Sequence, residues 1–268
     1  MKKRSIQKTI LVGIDYTTSS EKSLDYAVLL AKRSGAVILL FHIYEIPAVH
    51  TNSGLFFISY DALSKSNTKR LENYKNSVSE KYPQVNFRIL ASSVPFKTQL
   101  EELIRKHKIQ YVVLGLEAKS RLSKFIYGSH GISIAGKVNC PVIIVPEKYK
   151  ARKLKNVVVA VDNLDALNKK VIKMIDDLSS DFKVKVRKVH IKTPLDLSLA
   201  SKLSSGSDIE VKKAKEFTSG LIKYAKEKKQ DLVIIISTSH SPLYNLFRET
   251  NTKTIAFNSK IPVVSLHE

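Results

Sequence analysis

Apolar positions in this chain fall into short, nearly unbroken runs separated by segments of helical period. Ile10–Ile14, Val37–Ile43, Val112–Leu114 and Val142–Val145 are such runs. This is how strands covered on both faces of a parallel sheet read. Between them, Glu21–Arg33 places Leu24, Ala27, Val28 and Ala31 on one stripe, and Gly35 follows as a stop signal. Ser66–Tyr82 and Phe96–Lys108 share that period, while Phe87–Ala91 alternates and is predicted as a further strand. The order β-α-β-α-β-α-β-α-β predicts right-handed parallel crossovers and a doubly wound sheet. Ligands of such sheets lie at the carboxyl ends of strands, where strand order reverses.

The pattern occurs twice. KTILVGID at Lys8–Asp15 matches KNVVVAVD at Lys155–Asp162, an offset of 147. IQYVVLG at Ile109–Gly115 matches QDLVIII at Gln230–Ile236, and CPVIIV at Cys140–Val145 matches IPVVSL at Ile261–Leu266, both at an offset of 121. The second copy is therefore about 26 residues shorter in its middle, with the deficit placed against an insertion at Pro47–Asn67. Helices are expected at Ala166–Leu178 and Ala214–Lys229, and a strand at Val184–Ile191 whose alternating charges leave one face open. The charged stretch Lys148–Lys155 marks the boundary, giving domains 1–150 and 151–268.

Composition narrows the setting. The 268 residues carry a net charge of +21, which raises the question of an anionic partner. Residues 1–150 hold 23 Lys+Arg against 11 Asp+Glu, and residues 151–268 hold 22 against 13, so the charge is spread rather than focused. No recognition-helix or zinc signature accompanies it, and a nucleic-acid partner is not expected. No apolar stretch approaches the roughly 18 residues of a membrane span, and the apolar run ending at Asp15 is too short for a signal peptide. One cysteine, Cys140, permits no intrachain disulfide and reads as a small buried hydrophobe. A cytoplasmic protein is expected. His42 and His190 occupy equivalent strand positions and read as packing residues. No nucleophile–base set and no paired carboxylates stand out, so catalytic residues are not assigned.

The candidate chemistry lies after the fourth strand of the first half. Gly115 ends that strand; Ala118 follows, then nine residues, then Gly128-Ser129-His130 ahead of a helical pattern. Glycine allows close backbone approach to an anion, and amides at a helix mouth together with its dipole favour phosphate. Ser129 can donate to a phosphate oxygen, and Asp15, ending strand one, can accept from a ribose or base. Two bland readings stand beside these: Asp15 as a turn residue before a helix capped at Thr17–Ser19, and Gly128-Ser129 as a loop glycine with an N-cap serine.

At these residues the chain resembles the universal stress protein family, whose loop runs Gly-x2-Gly-x9-Gly-Ser/Thr after strand four. The family also ends strand one on an aspartate and strand two on a histidine–hydrophobic pair, here His42-Ile43. The resemblance implies an adenine nucleotide alpha hydrolase-like fold and an intrachain pseudo-dimer able to pair further as a homodimer; last strands pair across the family's dimers, and here Val142–Val145 and Val263–Leu266 are the candidates, an unpaired edge strand being a liability. It also implies a stress-response role and ATP, with Mg²⁺, held by Asp15, Ile43, Gly115, Ala118, Gly128, Ser129 and His130. At most slow ATP turnover is implied. Two positions depart from the pattern: Ala118 replaces the second glycine, and Glu117 brings a carboxylate near a triphosphate, with Lys119, Arg121 and Lys124 available to offset it. In the second half Ile236, Ser239, Glu249 and Thr250 stand at the loop positions, so nucleotide binding is expected only in the first. A scaffold protein of the same fold without nucleotide is the alternative.

Overall fold

The structure is a computed structural model that describes residues 7–46, 49–51, 54–56, 59–116, 138–150, 153–161, 167–194, 208–237 and 260–267. The first unit runs β1 (Thr9–Gly13), α1 (Thr18–Ser34), β2 (Val37–Ile43), the small antiparallel pair β3 (Val49–Thr51) and β4 (Gly54–Phe56), α2 (Tyr60–Lys81), β5 (Phe87–Ser92), α3 (Phe96–His107), β6 (Ile109–Leu116) and β7 (Val142–Pro146). The second runs β8 (Asn156–Ala160), α4 (Lys169–Phe182), β9 (Lys185–Lys192), β10 (Ile209–Lys213), α5 (Phe217–Glu227), β11 (Leu232–Ser237) and β12 (Val263–His267).

All ten long strands form one sheet, in the order β10-β9-β8-β11-β12-β7-β6-β1-β2-β5. Each unit contributes five strands with the same internal order, parallel throughout. The units meet at β12 and β7, which pair antiparallel with Val263 opposite Ile144 and Ser265 opposite Val142. The two candidate edge strands thus cover each other. Because that contact is antiparallel, the carboxyl ends of the two sets of strands lie at opposite ends of the sheet.

Alternation along the strands builds a core on each face. Ile10, Val12, Val113 and Ile143 pack toward one layer, and Leu11, Val112, Leu114 and Val142 toward the other. Side chains of α1 and α4 fill the first layer, those of α3 and α5 the second. In the first layer the helices also tie the units together: Arg33 donates to Phe182 O at 2.6 Å, Tyr111 donates to Asp181 at 2.9 Å, and Lys8 pairs with the same carboxylate. Helix α1 starts on an N-cap, Thr17 accepting from Ser20 N, and ends at Gly35 in the left-handed region at φ 69°, as the stop signal predicts.

Three segments differ from expectation. Strand β10 (IEVKK) is too polar to read as buried because it is the outer edge of the sheet. Helix α5 correspondingly starts at Phe217 rather than Ala214. The shortening of the second copy falls between β9 and β10, where residues 193–208 stand against 44–86 in the first unit. The longer interval holds β3, β4 and all of α2, whose start at Tyr60 lies inside the stretch read as an insertion.

Cys140 is buried at 3% exposure, its thiol beside Ile109 O and Pro141 O, and burial pushes its pKa up to about 12. It should resist alkylation at about pH 8 in native protein and react at the ordinary thiol rate once unfolded by denaturant, as mass shift against time will show.

Candidate functional site

The strand order reverses between β1 and β6, so the crevice of the first unit opens at their carboxyl ends, at Asp15 and Gly115. The chain must turn there from strand to helix within a few residues. Asp15 makes that turn: its Oδ1 accepts from Thr17 N at 3.0 Å and from Thr17 Oγ1 at 2.6 Å. The turn reading of Asp15 therefore holds for one oxygen, while Oδ2 accepts from no described residue. The turn sets Tyr16 at φ 63°, a left-handed conformation that costs a bulky residue about 1–2 kcal/mol.

Gly115 is needed for packing in its own right. A Cβ there would collide with the backbone of Ser19, lying 2.6 Å from its carbonyl carbon and 2.5 Å from its Oγ. Thus the first turn of α1 presses against the end of β6. Ser19 itself is buried, and its Oγ finds no hydrogen-bond partner among the described residues. The second unit has a different solution. At the 147 offset its helix would open at residue 165, but α4 opens at Lys169 with Asn168 as N-cap. Ile236 stands at the position of Gly115 and is buried there.

His42 and His190 do the same structural job in both units. Nδ1 of His42 lies 2.7 Å from Ile14 O, and Nδ1 of His190 lies 2.9 Å from Val161 O. Each ties the second strand of its unit to the end of the first, which is the packing role expected of both. Ile43 follows His42 at the end of β2, half-buried and in register with Ser92.

An aromatic cluster seals the β1–β2 side of the crevice. Tyr16 packs on His42 with ring centroids 4.8 Å apart, meets Tyr74 edge-on at 5.5 Å, and carries the Arg70 guanidinium 4.0 Å above its ring. Arg70 and Tyr74 sit one turn apart on α2. Sequence reading did not single out these three; the sign of them was an i, i+4 Arg–Tyr pair in a helix with few apolar residues. Burial pushes Tyr74 up to about 12 and raises Tyr16, against which the Arg70 charge acts.

Burial also lowers the His42 pKa, with the Arg70 charge adding to the shift; hydrogen bonds to Ile14 and Asn67 and the Asp15 carboxylate oppose it. The neutral ring is thus the folded-state form. Its stabilising contribution is full above the unfolded value of about 6.5 and is lost as pH falls below that toward the depressed folded value. Urea denaturation at about pH 7 and about pH 5 should show a stability drop that is smaller in His42→Gln.

Glu117, Ala118, Gly128, Ser129 and His130 lie outside the described residues, as do Asp162, Ser239, Glu249 and Thr250. Of the candidate binding residues, the structure brings together Asp15, Ile43 and Gly115 around one crevice. Among the described residues no group of three or more His, Cys, Asp or Glu could hold a metal ion. No described helix is long and apolar enough to cross a membrane.

This architecture, a doubly wound parallel sheet with its crevice at the β1–β6 reversal, is shared by known proteins. Residues 7–146 match the model of the universal stress protein family. The chain is 32% identical over 146 residues to universal stress protein YxiE of Bacillus subtilis, covering 51% of this chain and 97% of that protein. The chain belongs to the universal stress protein family. A universal stress protein from Archaeoglobus fulgidus has the same fold over 97% of this chain and 98% of its own, with a TM-score of 0.68 at 13% identity. A putative universal stress protein from Pseudomonas aeruginosa matches 98% of this chain and 94% of its own, with a TM-score of 0.59 at 13% identity.

Proposed function

We propose that the first unit, domain 1–150, binds ATP in the β1–β6 crevice, and that domain 151–268 does not. The protein acts in this reading as a cytoplasmic stress-response or signalling component and not as an efficient catalyst. The observation that carries it is Asp15 at the end of β1: its Oδ1 closes the turn into α1, and its Oδ2, used by no described residue, is left to accept from a ligand in the crevice. Asp15 and Ile43 would face the nucleoside. Gly128, Ser129 and His130, with Ala118 in the loop, would meet the phosphates. Mg²⁺ would ride on the triphosphate through phosphate oxygens and water. Titration of ATP by calorimetry tests this, with Gly128→Glu as the control.

A second reading keeps the fold but omits the nucleotide. Its support is Gly115: the close approach of Ser19 accounts for a glycine there without any phosphate, and Glu117 adds a repulsive charge. Protein freshly purified from cells and carrying ATP by mass spectrometry would refute this reading.

A further inference from the structure

The second unit has its own feature at the far end of the sheet. A cavity of about 380 Å³ opens between the end of β10 and α5, lined by Lys212, Lys213, Lys215, Gly220, Lys223 and one carboxylate, Glu227, among others. Two of these lysines are already engaged: Lys212 pairs with Glu210 at 3.3 Å and Lys223 with Glu227 at 3.9 Å. Lys213 and Lys215 are exposed and make no ion pair among the described residues. Lys213 also stands in register beside Lys192 of β9, and like charges on directly adjacent strand positions repel. Glu216 caps α5 without a side-chain hydrogen bond to its first turn, so those amides add their partial positive charge to the same place.

The corresponding place in the first unit carries different residues. At the 121 offset Gly220 corresponds to Gln99, whose amide donates to Ser92 Oγ at 3.0 Å and to Val94 O. Lys223 corresponds to Glu102. Ser92-Ser93-Val94 between β5 and α3 corresponds to Lys213-Ala214-Lys215 between β10 and α5. In the second unit Gly220 lets the helix sit against the strands, since a Cβ there would lie 2.5 Å from Ala214 Cβ and 2.8 Å from Ile191 Cγ2.

We infer that this groove binds a compact ligand bearing two or more phosphate groups. Several lysines converging on one cavity supply point charges suited to phosphate. The lining residues include no exposed aromatic face for a base to stack on: Tyr224 is buried and its hydroxyl is committed to Glu210 at 2.7 Å. Recognition is therefore of the phosphates themselves. Since strands of the two units run in opposite directions, the groove is remote from the Asp15 crevice and its occupation does not depend on ATP binding there.

The test is calorimetric titration with inorganic tripolyphosphate at low salt, on the full chain and on Lys213→Gln/Lys215→Gln, both also carrying Gly128→Glu to silence the first unit's loop. Exposed Lys→Gln changes leave folding intact, which a thermal melt verifies. Saturable binding in the Gly128→Glu chain is expected, weakened about tenfold or more by the lysine changes and weakened again by added salt. No saturable binding in the Gly128→Glu chain, or equal affinity with and without Lys213 and Lys215, overturns the inference.

Discussion

Gly115→Ile, which copies Ile236 from the matching position of the second unit, should destabilise the protein by about 3 kcal/mol and lower its melting temperature by about 10 °C. The physical cause is the contact between α1 and the end of β6. Any Cβ at residue 115 meets backbone atoms of Ser19, and backbone at the first turn of a helix cannot rotate away as a flexible side chain would. The second unit accommodates a buried isoleucine at this position, and its α4 begins at Lys169. Shortening α1 in the same way would unseat the Thr17 cap and the Asp15 turn. Ile236→Gly, the reverse change, should destabilise through a cavity at a fully packed site, by about 2–4 kcal/mol. Thermal and urea melts of both variants measure these values. A Gly115→Ile protein as stable as the original would show that Ser19 does not sit against β6.

Gly128→Glu has a different expected signature. It should abolish ATP binding while leaving the melting temperature nearly unchanged. The glutamate copies Glu249 of the second unit and would place a carboxylate where helix-mouth amides meet phosphate. The two variants therefore separate two roles of glycine: Gly115 lets α1 pack against the end of β6, and Gly128, in the proposed function, serves the ligand.

Much of this architecture was legible in the chain. Strands such as Val37–Ile43 and Val142–Pro146 are buried on both faces, so their apolar runs carry the signal without context. The repeated offsets located the second unit, and the family resemblance pointed to the strands that pair, β7 and β12. What the pattern could not carry depends on edges and on tertiary contacts. Strand β10 is polar because it is the sheet's outer edge, where charged residues also discourage further pairing. Tyr16, Arg70 and Tyr74 come together only because α2 folds back over the ends of β1 and β2. Gly115 was visible as a strand-ending glycine, but its neighbour Ser19 is distant in sequence, and so a packing requirement and a phosphate requirement look the same on paper. Asp15 shows the converse: the two readings of the residue are both available because a carboxylate has two oxygens, one closing the turn and one left over.

The most direct test of the account is calorimetric titration of the native protein with ATP in the presence of Mg²⁺. A saturable heat with one site per chain, lost in Asp15→Ala while the fold is retained, is the expected result. No heat at millimolar ATP with well-folded protein, or two equivalent sites per chain, would contradict it.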